Sequence, residues 1–198
     1  MNLSDDQRRE RASQMSKLGG IQPMYEVFYI EALTYSAGRA ANAFERFDQA
    51  VEEGRDPATI VATAHEALTH VAGLSRFFWP GRDKPLHKAR AETLRKAFGL
   101  DDASPLADRS LRNVLEHFDE RLDEFLLQDM AGFFFPGPVV DEASLNDDAL
   151  GFIFRLVDPR DEVFVLLGEK HPFGPLRTVV DDVLERAKRM DEQGGRLG

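Results

Sequence analysis

Leu111-Arg112-Asn113-Val114-Leu115-Glu116-His117 reads as the middle of a long amphipathic helix, and the fold can be worked outward from it. At about 100° per residue, Ala107, Leu111, Val114, Phe118, Leu122 and Phe125 fall on one apolar stripe. Ser104-Pro105 places a capping residue before a proline at the first helical position, so the spacing predicts one helix from there to about Gln128. Arg112 and His117 lie outside the stripe, one beyond each edge, roughly 140° apart through the polar side. Arg109, Asn113, Glu116 and Glu120 occupy the arc between them. Neither residue of the pair is then committed to the core. Arg112 and Glu116, spaced four apart, can also be read simply as a surface ion pair.

A stripe of this kind needs other helices to bury it, and the preceding chain supplies three. From Met24 to about Glu53, Val27, Phe28, Ala32, Tyr35, Ala43, Phe44, Phe47 and Val51 recur at three and four, with Gly54 as the stop. Asp56-Pro57 opens a second helix carrying Ile60, Val61, Ala64, Leu68, Val71, Leu74 and Phe78, ended by Trp79-Pro80-Gly81. A third runs from about Pro85 to Phe98 and closes at Gly99. Short connections between four such helices imply an antiparallel bundle over residues 21–130. Residues 1–20, polar and ending in Gly19-Gly20, read as a mobile arm.

Beyond the bundle the character changes. Phe133-Phe134-Phe135-Pro136-Gly137-Pro138 cannot continue a helix and reads as an aromatic connector, followed by an acidic loop over 141–148. Phe152–Val157 and Val163–Leu167 are rich in β-branched and aromatic residues and flank Asp158-Pro159-Arg160-Asp161, a turn sequence, so a β-hairpin is expected. A lone hairpin is marginal in water. It must lie on the bundle, on a final helix from about Pro175 to Met190, or on a partner. The expected fold is therefore mainly α, an antiparallel four-helix bundle, a connector over 131–150, and a hairpin-plus-helix appendage over 151–198. The tail from Glu192 to Arg196 reads as disordered.

Composition narrows the functional classes. With 42% hydrophobic and 30% charged residues, the chain of 198 residues has the balance of a globular protein. No apolar run is long enough to span a bilayer, and the first residues lack the apolar core of a signal peptide, so a cytoplasmic protein without membrane contact is expected. The absence of cysteine excludes disulfides, thiolate metal sites and cysteine nucleophiles. A net charge of −10 argues against whole-surface affinity for nucleic acid, so any RNA contact needs a local patch. Residues 76–96 hold one, with Arg76, Arg82, Lys84, Lys88, Arg90, Arg95 and Lys96 against Asp83 and Glu92. The alternative reading of that run is a solvated helix face.

The Arg112-Asn113-Val114-Leu115-Glu116-His117 segment, on a late helix of a bundle, resembles the R-N-x-x-x-H signature of the HEPN superfamily. Leu111-Arg112-Asn113 and His117-Phe118-Asp119-Glu120-Arg121-Leu122 are similar to a bacterial branch of that superfamily. The likeness covers about residues 24–130 in architecture and this short stretch in specific residues. Where HEPN toxins paired with a nucleotidyltransferase antitoxin carry tyrosine two places after the histidine, this chain has Asp119. The resemblance implies a homodimer and metal-independent RNA cleavage with no cofactor. His117 would then do the acid or base work, since imidazole titrates near neutrality. Arg112 would hold phosphate oxygens and Asn113 would orient the reacting groups. One copy supplies one histidine, so a two-fold dimer would bring both proton-transfer roles together.

Arg76, Arg109 and Lys88 are the candidate substrate-binding residues. His65, Glu66 and His70 look superficially like metal ligands, but histidines five apart do not share a helix face, and no metal site is expected. His70 reads instead as a hydrogen-bonded residue at the edge of the core. Two functional readings follow. One is an RNA-binding or RNA-cleaving dimer, with an antitoxin or other protein as a further partner. The other is a non-catalytic interaction or scaffold domain.

Overall fold

In a computed structural model describing residues 3–130, 132–141 and 147–197, the chain is mainly helical with a small sheet after most of the helices. Helices α1 (Asp5–Lys17), α2 (Glu26–Glu52), α3 (Pro57–Phe78) and α4 (Pro85–Phe98) come first. Then follow α5 (Ser110–Glu116), α6 (Phe118–Leu126), the one-turn α7 (Asp147–Leu150) and the C-terminal α8 (Gly174–Glu192). Strands β1 (Phe135–Val140), β2 (Ile153–Asp158), β3 (Val163–Leu166) and β4 (Glu169–Pro172) form one sheet in that order. β1 runs parallel to β2, and the other neighbours are antiparallel.

The long helices begin and end where their sequences dictate. Asp56 accepts a hydrogen bond from the Thr59 amide at 3.1 Å, and Pro57 takes the first turn of α3. Gly99 ends α4 in the left-handed conformation, with φ 64°. In α2 the buried residues Ile30, Leu33, Ala37, Ala40, Phe44 and Phe47 follow the three–four spacing, on a face turned from the expected stripe, whose Val27, Phe28 and Tyr35 are exposed. α2 packs most extensively on α3, whose buried face includes Ala64, Ala67, Leu68 and Val71. Alanines on both faces let the two backbones approach closely.

Several expectations are corrected. The described part of the expected arm, residues 3–20, is largely helical. Ser4 and Gln7 form a capping box, and α1 crosses α4 although it buries none of its own residues. The join is tight, for Thr93 donates to the Gly19 carbonyl at 2.8 Å. Gly20 has φ 78°, and a Cβ there would lie 2.3 Å from the Arg90 amide nitrogen.

The appendage is no appendage either. α8 packs along α2 as a bundle helix, and one apolar core runs from Ile21 to Met190. Phe173 carries much of this junction. It is fully buried, with its ring 6.0 Å from Phe44 and edge-on to Phe47 at 5.6 Å. The tail folds back as well, with Arg196 donating to the Pro23 carbonyl and the Leu197 amide to Glu26.

β2 and β3 pair antiparallel, the chain between them held by the Asp158 carboxylate accepting from the Arg160 and Asp161 amides. They are the centre of a four-stranded sheet. β1 takes in Phe135 and the Pro136-Gly137-Pro138 run read as connector. An edge strand tolerates proline, and the register shifts between Phe135 and Pro138. The two-residue turn Leu167-Gly168, with φ 51° and 79°, adds β4. Residue 131 and most of the acidic loop, 142–146, lie outside the described residues.

Candidate functional site

The helix expected from Ser104 to Gln128 is divided into three. A 3₁₀ turn at Pro105–Ala107 stops at Asp108, whose carboxylate accepts from the Ser110 amide at 2.8 Å and its hydroxyl at 2.9 Å. α5 then runs only to Glu116. His117 leaves helical geometry, with φ −116° and ψ 38°, before α6 resumes at Phe118. The angular relation between Arg112 and His117 drawn for an unbroken helix therefore does not apply.

The two motif residues have opposite environments. The Arg112 side chain is 5% exposed, that of His117 59% exposed. Arg112 Nη1 donates to the Trp79 carbonyl at 2.7 Å and to Ser75 Oγ at 3.4 Å. Burial pulls its guanidinium below the ordinary arginine range, Glu116 opposes that, and Arg109 and Arg76 add to it. His117 lies 3.7 Å from Glu120, and Asn113 is exposed. Arg112 thus belongs to the interior, against expectation, while His117 and Asn113 face solvent. The structure does not gather the three into one cleft.

Why the interior needs an arginine follows from α3. Its last carbonyls have no helical partner, and Pro80 cannot extend the ladder. Arg90 donates to the Arg76 carbonyl at 3.1 Å, Arg95 to that of Phe78 at 2.8 Å, and Arg112 to that of Trp79. Three guanidinium groups from α4 and α5 thereby cap one helix end and complement its negative pole. Part of the basic run at 76–96 is consequently structural. Arg95 lies over the Trp79 ring, at 5.5 Å. Arg76 donates to Glu116 at 2.7 Å, so Glu116, 3.5 Å from Arg112 Nε, is drawn toward Arg76.

Of the candidate substrate-binding residues, Lys88 and Arg109 line one cleft with Arg82 and Arg95, about 410 Å³ in volume, beside Trp79 and Pro80. Asp83, which pairs with Lys88, and Glu92 are its acidic members. Arg76 stays outside it in its ion pair. The histidines of α3 part company as their spacing implies. His65 lies edge-on to Phe164, and His70 sits 3.6 Å from Glu66, its Nε2 buried without a hydrogen bond.

Sequence reasoning missed His171. It is buried in β4, its Nε2 has no hydrogen-bond partner, and it shares a second cavity with Ser75 and Arg112. Glu169-Lys170-His171-Pro172 is too short and polar to announce a strand, so no pattern marked this residue.

Burial lowers the pKa of His171, against the opposing pull of Glu169 and Asp108. Burial followed by Arg155 lowers that of His65. Unfolding frees both to bind protons near the ordinary value of 6.5, so their contribution to stability is whole above that pH and falls away below it. Urea midpoints measured from pH 7.5 to 5 are expected to drop below about pH 6.5, and less steeply in His171→Gln.

Comparison with family models, with curated proteins and with solved structures returns no match for this chain.

Proposed function

We propose that the chain is a HEPN-like domain that binds the phosphate backbone of RNA without cleaving it through an Arg112–His117 pair. The observation that carries this reading is the division of labour among the arginines. Arg112, Arg90 and Arg95 spend donors on the end of α3, whereas the exposed Arg109 and Arg82 open with Lys88 onto the cleft. Arg109 stands at the start of α5, next to the motif. Cations at a cleft mouth can hold phosphates electrostatically even on an acidic protein.

The test is fluorescence anisotropy with a single-stranded RNA at two salt concentrations. The double variant Lys88→Glu, Arg109→Glu is expected to bind at least about tenfold more weakly and to lower the salt slope by about 1–2. Wild-type protein that fails to bind at low salt, or a variant that binds equally well, would contradict the reading.

A second reading, cleavage by a dimer, is favoured by the exposure of His117, which leaves its imidazole open to a second copy. Incubation with RNA in EDTA distinguishes the two. Cleavage by the wild type and not by His117→Ala supports the dimeric enzyme, and intact RNA in both supports binding alone.

A further inference from the structure

The second cavity lies where the bundle meets the sheet, and it is about 290 Å³ in volume. α3, the turn before α5, β4 and the start of α8 all contribute to it. Its walls are mostly apolar, with Val71, Ala72, Leu106, Leu111 and Leu176 among them. Arg112, His171 and Ser75 are the buried polar residues, and Lys170 and Asp108 complete the lining. A largely apolar cavity with a few convergent polar groups has the character of a small-molecule site.

Two observations point to a ligand rather than to a packing gap. His171 is only 4% exposed, and its buried Nε2 has no hydrogen-bond partner. Arg112 Nε is buried without a hydrogen bond too, while Nη1 is fixed by the Trp79 carbonyl and Ser75. Buried polar atoms are rarely left unmade, so both invite an acceptor from outside the chain. Glu116 Oε1 pairs electrostatically with Arg112 Nε at 3.5 Å but makes no hydrogen bond to it, and the same oxygen accepts from Arg76 at 2.7 Å.

We propose that this cavity binds a small carboxylate with an apolar body, the carboxylate accepting from Arg112 Nε and from an Nε2–H of His171. The guanidinium is already oriented by its hold on α3, so little ordering is needed on binding. The volume admits an acid of about phenylacetate's size. Burial disfavours the protonated form of His171, so the charge the ligand meets is the Arg112 guanidinium, with Lys170 and Asp108 of opposite sign beside it. This site is independent of the RNA cleft, which Arg112 and His171 do not line.

Calorimetric titration of the full chain with phenylacetate, phenylacetamide and inorganic phosphate tests the proposal. Phenylacetate is expected to bind saturably with a Kd of about 1 mM or below, and the amide and phosphate at least about tenfold more weakly. Ala72→Leu, which fills the cavity, and His171→Leu, which removes the imidazole donor, are each expected to weaken phenylacetate by about tenfold or more. Circular dichroism identifies which variants are folded, and either folded one suffices. Absence of saturable binding up to about 20 mM would overturn the proposal, as would equal affinity for the amide or unchanged binding in a folded variant.

Discussion

Replacing Arg112 with alanine is expected to destabilise the protein by about 3 kcal/mol, whereas His117→Ala should change stability by no more than about 0.5 kcal/mol. The difference follows from burial. Arg112 donates from inside to the carbonyl of Trp79, the residue that ends α3 and has no helical donor of its own. Removing the guanidinium strands that carbonyl, leaves Ser75 with its bond to the Ala72 carbonyl alone, and opens further space beside the cavity that Ser75 lines. Arg112→Lys should recover little, because an ammonium cannot reproduce the planar fork. His117 sits at a helix break in solvent, where truncation removes no packed contact. Urea denaturation of the three variants measures this directly. Equal stabilities would mean that Arg112 is not holding α3.

The second large effect is expected at the junction of the bundle and the sheet. Phe173→Ala should cost about 3–5 kcal/mol, since the ring is wholly buried between Phe44 and Phe47 at the start of α8. A chain ending at residue 150 loses that ring, α8 and three of the strands together. It should show no cooperative thermal transition, because α2 would expose the face that α8 covers. A truncated chain that unfolds cooperatively would mean that the first part folds alone.

The parts of the fold legible in the sequence were those fixed by local chemistry. Asp56-Pro57 and the glycine at 99 act within a few residues of themselves, and α3 and α4 lie where they point; the three–four recurrence located α2 as well, but of its expected stripe only Ala43, Phe44 and Phe47 are buried, while Val27, Phe28 and Tyr35 are exposed. The break at His117 was not legible, because the apolar stripe continues in phase on both sides of it, through Val114 and Phe118. Assuming one continuous helix put Arg112 on the outside. Its actual place is set by a carbonyl thirty-three residues away in the chain, and no periodicity encodes that. β1 was hidden by its two prolines, admissible only on an edge strand. α8 was expected as a helix, but its partner, α2, lies far back in the sequence.

Of the candidate site, the basic character of residues 76–96 was visible, and the use of Arg90 and Arg95 as caps was not. His171 comes to matter only because β4 carries it against α3 and α5. Long-range placement decides both cases.

The most direct measurement of the central claim, that Arg112 supports the fold while Arg109 meets RNA, is a proton–nitrogen spectrum of the arginine Nε–H groups. Resonances are assigned with Arg112→Lys and Arg109→Lys and followed as single-stranded RNA is added. A buried Arg112 Nε–H should exchange slowly with solvent and hold its position, while the Arg109 signal shifts with RNA at low salt and returns at high salt. An Arg112 signal that exchanges freely and moves with RNA, beside an unmoved Arg109, would contradict the account.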